Sequence, residues 1–135
     1  KKEKEKEEGG ERKKKKGKGG KREGKETHEE GLIREVKEET GYSSLQKPIF
    51  LGEYYVNPAT QNNKIKTFLI LEAFKSQEQD LDDTENIKVR VMDFDHFGNQ
   101  LLGNEVKSQL FTVTAYLMAK NYMMDSFFQS SERLK

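Results

Sequence analysis

Apolar positions are spread unevenly along this 135-residue chain. Residues 1–31 hold no aliphatic side chain and no Phe, Tyr or Trp, whereas from Leu32 onward apolar residues recur at structured spacings. Leu32, Ile33, Val36 and Thr40 fall on one side at helical spacing and predict a helix over about 28–40. Thr27 suits its N-cap, with Glu30 three residues later as in a capping box, and Gly41 suits the position just past its end. The apolar stripe is short, so this helix must lie against a sheet or loop. PIFLGEYYV (48–56) and KIKTFLILEAF (64–74) predict two strands, with the NPATQNN cluster (57–63) turning between them. KSQEQDLDDTE (75–85) is a polar loop, and NIKVRVMDF (86–94) alternates Ile87, Val89 and Val91 as a third strand. DHFGNQLLG (95–103) predicts a short helix closed by Gly103. EVKSQLFTVTAYLMAKNYM (105–123) predicts a longer one, with Val106, Leu110, Val113, Leu117 and Met118 as its apolar stripe. There is no internal repeat. The order helix, strands, helix predicts a layered α/β or α+β domain.

Composition sharpens the boundaries. Residues 1–18 cannot offset their ordering entropy by burial, so they read as a disordered low-complexity tail. Residues 19–126 read as the folded domain and 127–135 as a polar end. The tail carries ten Lys and Arg against five Glu. A basic arm for nucleic acid is the alternative to a solubilising tail, but no aromatic residues are interleaved to stack on bases. The whole chain has a formal net charge of +1, which gives no general pull toward nucleic acid or an anionic membrane. The absence of cysteine excludes disulfides and thiolate metal sites. No apolar run has the length of a membrane span or the form of a signal peptide, so a soluble cytoplasmic protein is expected.

The first helix carries the candidate chemistry. Glu35 and Glu39 are four apart, and Glu38 is three from Glu35, so all three project from one side. Like charges at this spacing destabilise a helix by about 0.2–0.5 kcal/mol per pair. They also sit toward its C-terminal end, where the macrodipole disfavours anions. A bound cation would compensate, and magnesium takes hard oxygen ligands of this kind. The bland alternative is a solvated face neutralised by Arg34 and Lys37.

The spacing narrows the choice. Gly20 is followed after five residues by Glu26, after seven more by Arg34-Glu35-Val36, then by Glu38-Glu39 and Gly41-Tyr42. This pattern resembles the Nudix box, Gly-x5-Glu-x7-Arg-Glu-U-x-Glu-Glu-x-Gly-U, where U is bulky and apolar; Tyr42 fits the last U loosely. The resemblance implies a mixed sheet sandwiched between helices. It also implies a hydrolase of nucleoside diphosphates linked to another group, using magnesium or manganese. Carried over residue by residue, it implies Glu35, Glu38 and Glu39 as metal ligands, with the Gly19 carbonyl as a further one. Arg34 would be structural, holding a glutamate of the box in place, with Glu26 a candidate, and Gly20, Glu26 and Gly41 would be structural positions of the motif. Glycines ahead of the helix let backbone approach a metal closely.

Downstream residues resemble one subgroup, the ADP-ribose and nucleoside diphosphate sugar pyrophosphatases. Pro58 lies 16 residues past Tyr42, where that subgroup carries a proline, although Ala59 stands where a glycine is usual. An ordinary turn proline is the alternative. DLDDTEN (80–86) resembles the acidic loop that supplies a metal ligand and the general base. Glu85 matches the ligand position and Asp83 lies near the base position, where the family more often has glutamate. Glu38, Glu39, Glu85 and Asp83 are therefore the candidate catalytic carboxylates, since one must reach the attacking water to take its proton. LLGNEVKSQLFTVTAYLMAKNYM resembles the subgroup's final helix. Phe50, Tyr54 and Tyr55 could stack on a base, although strand aromatics are more often core.

The resemblance also implies two or more strands and a proline ahead of Gly19, and residues 1–18 show neither. A fragment, a non-native tail, or strands supplied by a partner would account for this. A sheet short of strands exposes an edge that invites another chain, and a homodimer is expected. The leading expectation is magnesium-dependent cleavage of ADP-ribose or a related sugar nucleotide to a nucleoside monophosphate and a sugar phosphate. GDP-mannose or dinucleotide hydrolysis, and a Nudix-like module that binds nucleotide without cleaving it, are the alternatives.

Overall fold

The computed structural model describes residues 24–133, apart from Pro58 and Gln61. Gly19, Gly20, Pro58 and the tail 1–18, singled out above, lie outside the described residues. Helix α1 (His28–Thr40) begins where its cap places it. Thr27 Oγ1 accepts from the Glu30 N–H at 3.1 Å, and the Glu30 carboxylate accepts from the Thr27 N–H at 3.0 Å. It ends at Gly41, whose φ of 78° is left-handed and whose N–H donates to the Lys37 carbonyl at 2.9 Å.

Among the described residues, four strands follow as two antiparallel pairs. β1 (Tyr42–Ser43) pairs with β4 (Phe74–Lys75), and β2 (Ile49–Tyr55) pairs with β3 (Lys64–Leu69). The hairpin register runs from Ile49 opposite Leu69 to Tyr55 opposite Lys64, with an irregularity between Phe50 and Gly52. Asn57 builds the turn: its side chain accepts from the Ala59 N–H at 3.2 Å. The expected long second strand is interrupted after Leu69 and resumes only at Phe74.

Residues 86–93 form no strand. Their alternation fits a strand, but they find no ladder partner among the described residues, and a strand is defined by its pairing. Asp93 instead caps helix α2 (Phe94–Leu102), accepting from the His96 N–H at 2.8 Å. Helix α3 (Leu110–Arg133) starts five residues later than expected and runs through most of the segment expected to be a polar end. Asn104 stands in the left-handed region at φ 58°, and residues 103–109 form a loop rather than a first turn of α3.

The buried stripe of α3 is also rotated from expectation. Leu110 is 81% exposed and Leu117 is exposed, while Val106 lies in the loop. Tyr116 and Ala119 are the buried pair, with Val113 and Met118 half-buried. Tyr116 packs its ring 4.7 Å from that of Phe94 and 6.1 Å from that of Phe97, directly over Gly98. Leu101 completes this core. Met118 crosses β2 at Gly52, where a Cβ would come within 2.8 Å of the Met118 methyl. The class is the expected α+β, with three helices and small antiparallel sheets among the described residues.

Candidate functional site

The site forms because the end of α1 needs hydrogen-bond donors. The last carbonyls of a helix have no partner inside it. Residues 76–80 supply them from outside. The Gly41 carbonyl accepts from the N–H groups of Ser76 at 2.8 Å and Gln77 at 3.2 Å, and the Asp80 N–H donates to Glu38 O at 2.7 Å. The side-chain amides of Gln77 and Gln79 donate to Lys37 O at 3.3 Å and Glu39 O at 2.7 Å. The acidic loop is thereby strapped across the helix end that carries Glu35, Glu38 and Glu39.

A second local device orients the loop carboxylates. The Asp82 N–H donates to Glu85 Oε2 at 2.9 Å, and the Glu85 N–H donates to Asp82 O at 2.9 Å. This turn leaves Asp82 and Glu85 half-buried and Asp83 exposed. A void of about 20 Å³ results, lined by Arg34, Glu35, Glu38, Glu39, Asp80, Asp82 and Glu85. It has room for one water-sized particle. Asp83, expected near the base position, does not line it; Asp80 and Asp82 do. Neither of these stands out within a uniformly acidic stretch. The available signal is the Asp82-x-x-Glu85 spacing, which resembles a capping box and fixes which carboxylates turn the same way.

Arg34 organises the helix side. Its Nε and Nη2 donate to the two carboxylate oxygens of Glu26 at 2.9 and 3.2 Å, a bidentate pair. Its Nη1 donates to Glu38 Oε2 at 3.2 Å, and Nη2 stands 4.0 Å from Glu35 Oε1. Gly31, which the sequence pattern does not flag, is buried and lies beneath Glu26; a Cβ there would sit 3.3 Å from Glu26 Oε2.

The lining holds six carboxylates and one guanidinium. The imbalance is felt at Glu39, whose carboxyl titrates above the ordinary glutamate value. Desolvation is the largest cause, followed by the charges of Glu85, Glu35 and Glu38. The donor set suits a hard divalent cation by chemistry, since every acidic group offers carboxylate oxygen. Among the described residues, no three side chains stand already converged as a cation cage. Glu38 Oε2 is engaged by Arg34 Nη1 at 3.2 Å.

The family model of the NUDIX domain matches residues 6–113. This is more than half of the chain, and the chain belongs to the Nudix family. Comparison with curated proteins and with solved structures gives no match. The Nudix domain is that of hydrolases acting on pyrophosphate bonds in nucleotide-derived substrates, which generally use Mg²⁺ or Mn²⁺.

Proposed function

We propose that the protein hydrolyses the pyrophosphate of ADP-ribose or a related nucleoside diphosphate sugar, with magnesium or manganese. The carrying observation is the gathering of Glu35, Glu38 and Glu39 from α1 with Asp80, Asp82 and Glu85 from the loop around one void. Glu35, Glu38, Glu39 and Glu85, with the Gly19 carbonyl, would hold the cation. When bound, it supplies charge neutralisation for the pyrophosphate and acidifies the attacking water. The protein's own groups do the rest. Arg34 fixes Glu26 and Glu38 on the helix. Glu39, already raised in proton affinity, suits the acceptance of a proton from water. Asp83 is the second candidate for that role, and Asp82, which lines the void, is a further one. Water adds to one phosphorus, the bridging P–O bond breaks, and nucleoside monophosphate and sugar phosphate leave.

Incubation with ADP-ribose and magnesium, followed by chromatography, is expected to yield AMP that disappears with EDTA. Absence of AMP from folded protein refutes this substrate, and a panel including GDP-mannose and dinucleotide polyphosphates then identifies another. A non-catalytic nucleotide-binding module is the second reading. It is favoured by the Arg34–Glu38 hydrogen bond and by carboxylates that are not preassembled. Nucleotide binding without turnover under either metal would select it.

We also infer a cytoplasmic homodimer. No helix among the described residues is long and apolar enough to cross a membrane. An apolar cavity of about 160 Å³ opens between the hairpin and the start of α3, bordered by exposed Tyr54, Tyr55, Leu110 and Phe111. Apolar surface of this kind marks contact sites.

A further inference from the structure

We propose that Gln79 is a positioning residue: its carboxamide sets the spacing between the carboxylates of α1 and those of the acidic loop, and so tunes the affinity of the void for a divalent cation. The proposal rests on reading that void as the cation site. The amide donates to two carbonyls from different parts of the chain, Glu39 O at 2.7 Å and Ile87 O at 3.0 Å. A carbonyl oxygen only accepts, so the amide must turn its nitrogen, with both hydrogens, toward the pair. The bond to Ile87 closes the neck of segment 79–87, which holds Asp80, Asp82 and Glu85. The bond to Glu39 fastens that neck to the helix end that carries Glu35, Glu38 and Glu39.

The loop is thus organised at two levels. Inside it, the turn from Asp82 to Glu85 fixes which carboxylates face the void. At its neck, Gln79 fixes where that turn sits on α1, next to the Asp80 N–H bond to Glu38 O at 2.7 Å. A cation held from both elements needs the two sets of carboxylates at matched positions, and groups behind the ligands set those positions. Ordering them before the ion arrives lowers the entropy cost of binding it. Gln77 provides the contrast. Its side-chain amide reaches one carbonyl among the described residues, Lys37 O at 3.3 Å, and closes no loop.

The test compares Gln79→Met and Gln77→Met with the unaltered protein. Methionine keeps the reach of the side chain and has no N–H. Gln79 is exposed, so water takes over the two carbonyls and the variant folds, which a thermal melt checks. Mn²⁺ binding, read from the paramagnetic resonance of the free ion, should weaken about tenfold in Gln79→Met and less than about twofold in Gln77→Met. Gln79→Asn, which keeps the amide on a shorter stem, should show an intermediate loss. Hydrogen exchange at the amides of 80–87 should be faster in cation-free Gln79→Met, and saturating Mn²⁺ should restore the protection. Unchanged Mn²⁺ affinity in Gln79→Met, or an equal loss in both methionine variants, overturns the proposal and leaves the cation site standing. Faster exchange spread through α2 and α3 marks a general loosening and also overturns it. Failure of the unaltered protein to bind Mn²⁺ overturns the reading of the void and this proposal together.

Discussion

Glu39 concentrates the residue-scale chemistry. Burial and three neighbouring carboxylates raise its proton affinity in the folded state. Between its unfolded value, about 4.3, and its higher folded value, the folded state holds more proton than the unfolded state. Stability therefore falls as pH rises through that window. The contribution is fully present below the unfolded value and gone above the folded one. Glu39→Gln, which removes the charge, is expected to raise the melting temperature at pH 7 without divalent cation. The advantage should vanish near pH 4, as thermal melts at the two values will show. The same variant should lose roughly 10²-fold or more in turnover while remaining folded. Unchanged turnover excludes Glu39 from the site. The cluster of glutamates was legible because helical spacing is local. Which loop carboxylates join it was not, because the choice among Asp80, Asp82 and Asp83 depends on a turn closed by Glu85.

At the scale of elements, α1 was readable to its ends because its signals are its own residues: Thr27, Glu30 and Gly41. Residues 86–93 carry an equally clear pattern, yet a strand also needs a neighbour, and pairing is not written in the segment itself. The face that α3 buries is not local either. Its buried side is set by the fit of Tyr116 over Gly98 and of Met118 over Gly52, contacts distant in sequence. Gly98→Ala provides a test. Alanine favours a helix over glycine by about 1 kcal/mol, whereas overpacking costs about 1–3 kcal/mol. The new methyl would overlap the Tyr116 hydroxyl and ring, so the steric cost wins. A lower melting temperature is expected, and an unchanged or higher one would show that α2 and α3 do not pack this way.

At the scale of the whole molecule, the buried apolar core among the described residues is Leu101, Tyr116 and Ala119. Phe111, Phe127 and Phe128 on α3 and Tyr54 and Tyr55 on the hairpin remain exposed. Isolated two-stranded hairpins are marginal in water, and this one is backed chiefly by α3. The protein should therefore associate, with a sedimentation-derived mass that rises with concentration toward that of two chains. Phe111→Ser with Tyr55→Ser should shift this equilibrium toward the single chain by at least tenfold, roughly the loss of 1.4 kcal/mol. A mass that stays at one chain throughout excludes the homodimer.

The absence of a side chain at Gly41 has a consequence for how the acidic site holds together. Carboxylates from two elements meet across a joint, and the carbonyl of Gln77 occupies the space a Cβ at position 41 would need. A methyl group there acts as a wedge. It leaves every acidic residue on its own element while prising the loop from the helix end. The keystone of this anionic cluster is thus a residue with neither charge nor side chain, and losing it would dissolve the cluster without altering one of its carboxylates.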